Sequence, residues 1–309
     1  MRILLGIDGS DASLTAIAAV ERLPVPPGST ITLLSVLSTA DPSGGAWPSV
    51  TLIHPPDARD RSIAAIRAEL EGLAERLSAP DRTVLVTVVE GRPASEIVDA
   101  ATRSDADLIV MGARGISAIE RLLIGSVSAE VVDHAHCAVL VVRSDRIGRV
   151  LLATDGSPDA DRAVEFVTTS GLFDAAAMKV VSVIDPGMPW WTGLSPVDGM
   201  IASEGYVAVV DAARRHAEET AERTLGDLRR DDVTAHVPYR LGDIAGTIVS
   251  EATAWSADIV VLGTRGLGTI RRLLLGSVSR DVLHHAPMSV LIVRPTARPA
   301  DAASSTTGP

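Results

Sequence analysis

Three glycines and a serine recur at the same spacing in two places along this chain. Residues 111–128 read MGARGISAIERLLIGSVS, and residues 262–279 read LGTRGLGTIRRLLLGSVS, so each stretch has Gly-x-x-Gly, nine further residues and then Gly-Ser. Glycines allow a sharp turn and let backbone N–H groups approach a ligand with no Cβ between them. The Gly-Ser opens a helix pattern, and the free N–H groups at a helix start favour an anion. The hydroxyls of Ser126 and Ser128 are expected to add donors. The spacing predicts a loop that holds phosphates, with a turn and helix cap that bind nothing as the alternative.

An aspartate stands at the end of the first apolar run in each copy. Asp8 precedes Gly-Ser in RILLGIDGS, and Asp155 precedes Gly-Ser in RVLLATDGS. A carboxylate here could accept hydrogen bonds from a ribose hydroxyl or an adenine edge, or it could cap the helix whose pattern begins within three residues. Gly6 in the same run could leave room for a base, and Ala153 stands at that position in the second copy. We favour the ligand role.

The chain is a duplicated domain. Residues 2–13 align with residues 149–160, and residues 91–115 align with residues 242–266, at offsets of 147 and 151. Each copy is far longer than a solenoid repeat. We therefore predict one domain over residues 1–145 and a second over residues 149–296. The last segment, 297–309, is small and polar and is predicted to be a disordered tail.

Strand and helix patterns alternate within each copy. Five short apolar runs in the first copy (ILLGI, ITLLSVL, TVLVTVV, DLIVMG and AVLVVR) are typical of parallel strands buried on both faces. The stretches between them have apolar residues at helical spacing. The predicted fold class is α/β, with two tandem doubly wound five-stranded parallel sheets. In such a sheet the glycine motif follows the fourth strand, where the winding reverses and ligands bind.

Composition excludes several classes of function. The net charge of −11 and the scattered acidic residues argue against a nucleic-acid surface. Apolar runs are too short for a membrane span or a signal peptide, and a lone Cys137 suits a reducing cytoplasm, so we expect a cytoplasmic protein. Lys179 is the single lysine among 28 basic residues, and no Walker-type Gly-Lys-Ser/Thr is present. Side-chain contacts to phosphate must then come almost entirely from arginine.

The motif, together with GIDGS on the first strand and HAHCAVLVVR at the end, resembles the universal stress protein family. The likeness covers both halves, so the chain is similar to a tandem-domain member of the branch of that family that binds ATP. The resemblance implies an adenine nucleotide α-hydrolase-like, Rossmann-like fold with one ATP site in each half. The residues implied in the first site are Gly6, Asp8, Val36, Gly112, Arg114, Gly115, Gly125, Ser126 and Val127. Those implied in the second are Ala153, Asp155, Val183, Gly263, Arg265, Gly266, Gly276, Ser277 and Val278.

Further expectations follow from the same resemblance. The last strands of the two halves are expected to pair antiparallel, as in a pseudo-dimer, and the whole chain is expected to form a homodimer that acts through an unknown regulatory protein partner. Any Mg²⁺ is expected to be held through the phosphates, and we assign no catalytic residue and no metal ligand.

ATP binding is favoured over slow hydrolysis or self-phosphorylation, because no second carboxylate is evident near the motif. His134 and His136 are interpreted as capping or packing residues.

Overall fold

A computed structural model of the chain describes residues 1–38, 56–115, 124–185, 204–239, 242–266 and 275–294. The chain divides into two compact units, the first made of Met1–Asp145 with Leu291–Pro309 and the second of Arg146–Val290. The two halves described below follow the duplication in the sequence. The exact boundaries of the predicted domains stay a prediction.

The first half is a five-stranded parallel sheet with four helices. Its strands lie in the order β3-β2-β1-β4-β5, and every neighbouring pair is parallel. This is the doubly wound sheet that the alternating patterns predict. The elements are β1 (Arg2–Gly6), α1 (Asp11–Arg22), β2 (Ser29–Ser38), α2 (Pro56–Leu77), β3 (Arg82–Gly91), α3 (Pro93–Arg103), β4 (Leu108–Gly112), α4 (Ser126–His134) and β5 (Ala138–Val142).

The second half repeats this arrangement. Its strands lie in the order β10-β9-β6-β7-β8, with β6 parallel to both β7 and β9 and β7 parallel to β8. The elements are β6 (Arg149–Ala153), α5 (Pro158–Thr169), β7 (Ala177–Val181), α6 (Glu204–Leu228), β8 (Thr234–His236), α7 (Ile244–Ala254), β9 (Ile259–Gly263), α8 (Ser277–His285) and β10 (Ser289–Val293).

Two strands of the first half are buried along their whole length. All five residues of β4 and of β5 are buried, as the continuous apolar runs predict. The third strand differs, because β3 has no buried residue and Leu85 is 48% exposed. β3 stands at the end of the strand order of its half and is paired in the described residues with β2 alone. The prediction of burial on both faces was therefore wrong for this run.

A glycine turn and a serine cap join the first strand of each half to the next helix. Gly9 and Gly156 have φ of 77° and 75°, a left-handed conformation that glycine adopts without strain. Ser10 caps α1 by accepting a bond from the Ser13 N–H, and Ser157 caps α5 by accepting one from Ala160. These turns set the position of the aspartate that precedes each of them.

Some predicted features lie outside the described residues. One is the tail 297–309. Others are Trp47, Trp190 and Trp191, for which the sequence leaves nucleotide cover, a partner interface and loop packing open. The last are Arg121, Arg271 and Arg272, which from the sequence could approach phosphates or lie on a solvated helix face. Among the helices of the described ranges, none is long and apolar enough to cross a bilayer.

Candidate functional sites

The winding of each sheet reverses between its first and fourth strands. In the first half β2 lies on one side of β1 and β4 lies on the other, with Gly6 level with Met111. Segments that leave the carboxyl ends of these two strands therefore emerge side by side. One carries Asp8 and the other carries Gly115, so the two parts of the predicted site are neighbours in space although they lie far apart in sequence.

The carboxylate of Asp8 lies directly against this glycine. Its Oδ1 accepts bonds from the Ser10 N–H at 3.0 Å and from the Ser10 hydroxyl at 2.5 Å. A Cβ added to Gly115 would come within 2.7 Å of Asp8 Oδ2, so a side chain at this position would require the Asp8 carboxylate to move. The alternative role of Asp8 as helix cap was wrong, because Ser10 caps α1 and Asp8 holds Ser10.

The first glycine of the motif has a different task from the second. A Cβ on Gly112 would lie 2.6 Å from the carbonyl carbon of Ala12, and one on Gly263 would lie 2.5 Å from that of Asp159. These atoms belong to the backbone of the helix that follows the first strand, which cannot shift as a flexible side chain can. The first glycine therefore lets that helix pack directly on the end of the fourth strand.

The Gly-Ser pair begins a helix in both halves, as predicted. Gly125 is the N-cap of α4, and its N–H donates to the carbonyl of Ala113 at 2.7 Å, which ties the helix start to the turn after β4. Ser126 is exposed and Val127 is half-buried. The N–H groups of this first turn have no acceptor within the helix and can face an anion.

Ser128, which we expected to add a hydroxyl donor for phosphate, turns inward instead. Its hydroxyl donates to the carbonyl of Gly112 at 2.8 Å and is buried. Ser279 makes the same bond to Gly263 in the second half. The expectation was wrong for Ser128, because helical spacing directs the third residue of α4 toward the end of β4.

The second half repeats the arrangement. Asp155 Oδ1 accepts from the Ser157 N–H at 3.0 Å, and a Cβ on Gly266 would overlap Asp155 Oδ2. Gly276 caps α8 and donates to the carbonyl of Thr264 at 2.8 Å. The two residues that begin the helix keep the exposure seen in the first half: Ser277 is exposed and Val278 is half-buried.

Two hydrogen bonds of the second half involve side chains that the sequence-based prediction of the site did not include. The Thr264 hydroxyl donates to the carboxylate of Asp159, and the Ser157 hydroxyl donates to the carbonyl of Arg265 at 3.0 Å. Asp159 is thus a second carboxylate at the motif, which we missed. A comparison of the two copies could have pointed to Asp159 and Thr264, because the copies differ at both positions. The first half has Ala12 and Ala113 there.

The remaining predicted residues lie around these two centres. Gly6 is paired with Leu34, and Ala153 is paired with Val181. Asp8 and Val36 each lie two residues beyond the first pair, and Asp155 and Val183 each lie two residues beyond the second. Each valine is therefore level with its aspartate. Both are half-buried, and Ala153 is buried. A Cβ on Gly6 would meet Ile97 of α3 at 3.3 Å. The missing side chain at Gly6 leaves room beside that helix, and its role in making space for a base stays a prediction.

Two arginines of the first half lie close together at the ends of neighbouring strands. Arg114 is in the turn after β4, and Arg143 directly follows β5. Burial, with a smaller contribution from the charge of Arg114, lowers the pKa of Arg143 to about 10. Sequence reasoning did not include Arg143, although its place directly after the last strand marks the same edge of the sheet. Two positive charges thus lie close to the glycine turn after β4.

The single lysine is engaged away from the glycine motif. Lys179 on β7 donates to Glu251 of α7 at 3.0 Å, and the same oxygen bonds His236 Nδ1 at 2.8 Å. Burial acts to raise the pKa of Glu251, but the bonds from Lys179 and His236 outweigh it and hold that pKa below its ordinary value of 4.5. A carboxylate with a depressed pKa stabilises the fold above its unfolded-state pKa and loses that contribution as the pH falls.

We therefore expect Glu251→Gln to destabilise the protein at pH 7, by about 1 kcal/mol for a partly exposed network. The free energy of unfolding should also fall less steeply for this variant than for the parent as the pH drops from 5 toward 3. Urea unfolding at several pH values measures both effects. Glu218→Gln on the exposed face of α6 is the matched control, and equal pH dependence of all three proteins would contradict the prediction.

Comparison with known proteins agrees with this architecture. The model of the universal stress protein family matches residues 1–143 and again residues 146–294. A universal stress protein of Mycolicibacterium smegmatis is 28% identical over 314 residues, which cover 95% of this chain and 97% of that protein. A universal stress protein of Mycobacterium tuberculosis strain H37Rv is also 28% identical over 314 residues, covering 94% of this chain and 96% of that one.

A solved structure shares the fold over nearly the whole chain. The crystal structure of a universal stress protein from Archaeoglobus fulgidus superposes with a TM-score of 0.64 at 22% identity, and covers 95% of this chain and 98% of that one. Two doubly wound α/β halves, each with a glycine turn at its switch point, define a tandem α/β protein. The chain belongs to the universal stress protein family.

Proposed function

We propose that this protein is an ATP-binding regulator of stress response or growth, with one ATP site in each half. One observation carries the proposal: in both halves an aspartate carboxylate at the end of the first strand lies against a glycine of the turn after the fourth strand, where a Cβ would displace it. A carboxylate can accept bonds from ribose hydroxyls, and a bare backbone turn can cradle phosphates. The two requirements of a nucleotide thus meet at one place.

Each part of the nucleotide has a suitable partner in this arrangement. Asp8 and Val36 are level with each other at the ends of neighbouring strands and would contact ribose and adenine. The phosphates would lie between the turn at Gly115 and the first turn of α4, which the bond from Gly125 to Ala113 holds together. The equivalent residues of the second half would bind a second nucleotide.

The charges nearby suit an anionic ligand. Arg114 and Arg265 stand between the first two glycines of their motifs, and each brings a positive charge to the turn. The single lysine, Lys179, is bound to Glu251 and is not needed here. Any Mg²⁺ would be held through the phosphate oxygens. We also propose that the protein acts in the cytoplasm as a homodimer, and that a protein partner reads the occupancy of its ATP sites.

The test is to identify the nucleotide in freshly purified, denatured protein by mass spectrometry, and then to titrate the stripped protein with ATP by calorimetry. We expect a released adenine nucleotide and a binding stoichiometry approaching two ATP per chain. GTP serves as the competitor control, because adenine contacts at Val36 and Val183 should favour ATP. Absence of any adenine nucleotide, together with no heat of ATP binding, would overturn the proposed function.

A further inference from the structure

The two sites have the same backbone arrangement but differ in the side-chain hydrogen bonds that hold their turns. In the second half the Thr264 hydroxyl bonds the Asp159 carboxylate, and the Ser157 hydroxyl bonds the carbonyl of Arg265. In the first half the Ser10 hydroxyl bonds Asp8 at 2.5 Å, and Ala12 and Ala113 occupy the positions of Asp159 and Thr264. Alanine has no side-chain donor or acceptor, so the first half cannot form the Thr-Asp bond.

Thr264 links three elements of the second site. Its hydroxyl holds Asp159 in the first turn of α5, and its carbonyl accepts the Gly276 N–H at the start of α8. Thr264 is 4% exposed, and Asp159 is also paired with Arg162 at 2.5 Å. A bond to a carboxylate that is largely shielded from water is stronger than one between neutral groups in solvent. The turn between Gly263 and Gly266 is therefore attached to both helices.

Ser157 adds a second attachment to the same turn. As the cap of α5 it accepts the Ala160 N–H at 3.3 Å, and it donates its single hydroxyl proton to Arg265, the residue before Gly266. Two hydroxyl bonds thus hold the phosphate turn of the second site in place. One is the bond from Thr264 to Asp159, and the other is the bond from Ser157 to the carbonyl of Arg265. A loop that is already ordered loses less conformational freedom when it binds a ligand.

We propose that the second site is preorganised by Thr264, Asp159 and Ser157, and that ATP fills it before the first site. This inference rests on the proposed function, because it concerns affinity at the same two sites. Thr264 and Asp159 act as positioning residues that hold the turn. At low ATP concentration the protein is then half-occupied, with nucleotide in the second half, and only higher ATP fills the first.

The order of filling can be read with a photoreactive nucleotide. The stripped full-length chain is exposed to 8-azido-ATP at less than one equivalent, irradiated and digested, and labelled peptides are assigned to residues 1–145 or 146–294. We expect label predominantly in the second half, with a preference of roughly tenfold, the size that one hydrogen bond to a charged group can produce. Calorimetry with ATP should show two classes of site separated by the same factor.

Three variants test the residues. Thr264→Val removes the hydroxyl at nearly constant shape and should abolish the preference, whereas Thr264→Ser keeps the hydroxyl and should restore it. Ala12→Asp with Ala113→Thr transfers the pair to the first half and should raise labelling there. Thermal unfolding of each variant without nucleotide separates loss of fold from loss of preference, and the transfer variant keeps the test valid if Thr264→Val unfolds.

The outcomes distinguish this inference from the function on which it rests. Equal labelling of the halves in the parent, or a preference for the first half, would overturn the inference and leave ATP binding intact. A preference for the second half that Thr264→Val does not change would overturn the role of these residues. No labelling and no heat of binding in the parent would overturn the proposed function itself, and the order of filling with it.

Discussion

Gly115→Ala combined with Gly266→Ala is expected to remove most ATP binding and to leave the fold in place. The new Cβ at Gly115 would lie 2.7 Å from Asp8 Oδ2, and the one at Gly266 would overlap Asp155 Oδ2. Both glycines are exposed, and within 4 Å each new Cβ would meet only the end of a movable carboxylate. The aspartates would rotate away from the ribose position. The loss of these charged hydrogen bonds should weaken binding roughly 10- to 100-fold at each site.

Calorimetric titration with ATP measures this loss, and the chain provides a matched control. Gly72 in α2 and Gly226 in α6 have no atom within 4 Å of an added Cβ. Changing both to alanine makes the same chemical substitution in open space, and should stabilise the helices slightly without altering ATP affinity. ATP affinity that is unchanged in the Gly115→Ala, Gly266→Ala variant would mean that these turns are only structural.

Gly112→Ala combined with Gly263→Ala should instead destabilise the fold. Here the added Cβ atoms meet helix backbone, at 2.6 Å from the Ala12 carbonyl carbon and 2.8 Å from the Ala160 nitrogen. Relief requires α1 and α5 to move away from the ends of β4 and β9, which opens the packed core. Overpacking of this kind costs about 1–3 kcal/mol at each position.

Urea unfolding measures this cost as a lower midpoint, and the Gly115→Ala, Gly266→Ala variant is the comparison. Both double variants replace glycine with alanine, at positions three residues apart in the same motif. One should lower the stability of the fold, and the other should lower the affinity for ATP. A midpoint for Gly112→Ala, Gly263→Ala equal to that of the parent would show that the helices adjust freely. If both variants behave as expected, the motif divides into a glycine for packing and a glycine for binding.

Much of the architecture could be predicted from sequence alone. The duplication is visible in the aligned segments, and the buried strands are visible as apolar runs because burial on both faces leaves no polar alternation. The switch point between β1 and β4 follows from the winding of such sheets, and it correctly places Asp8 beside the turn that contains Gly115. The helix starts at Ser126 and Ser277 follow from the Gly-Ser pairs.

The tertiary structure alone decided the hydrogen-bond partners of several polar side chains at the sites. Ser128 is 16 residues from Gly112, and Ser157 is 108 residues from Arg265, so no local pattern indicates that their hydroxyls donate to those carbonyls. No local pattern indicates either that a Cβ on Gly6 would meet Ile97, which lies on a helix far along the chain. Periodicity records whether a residue is buried, because burial depends on the face of its own element. Hydrogen-bond partners depend on which elements the sheet brings together, and that is settled only when the chain is folded.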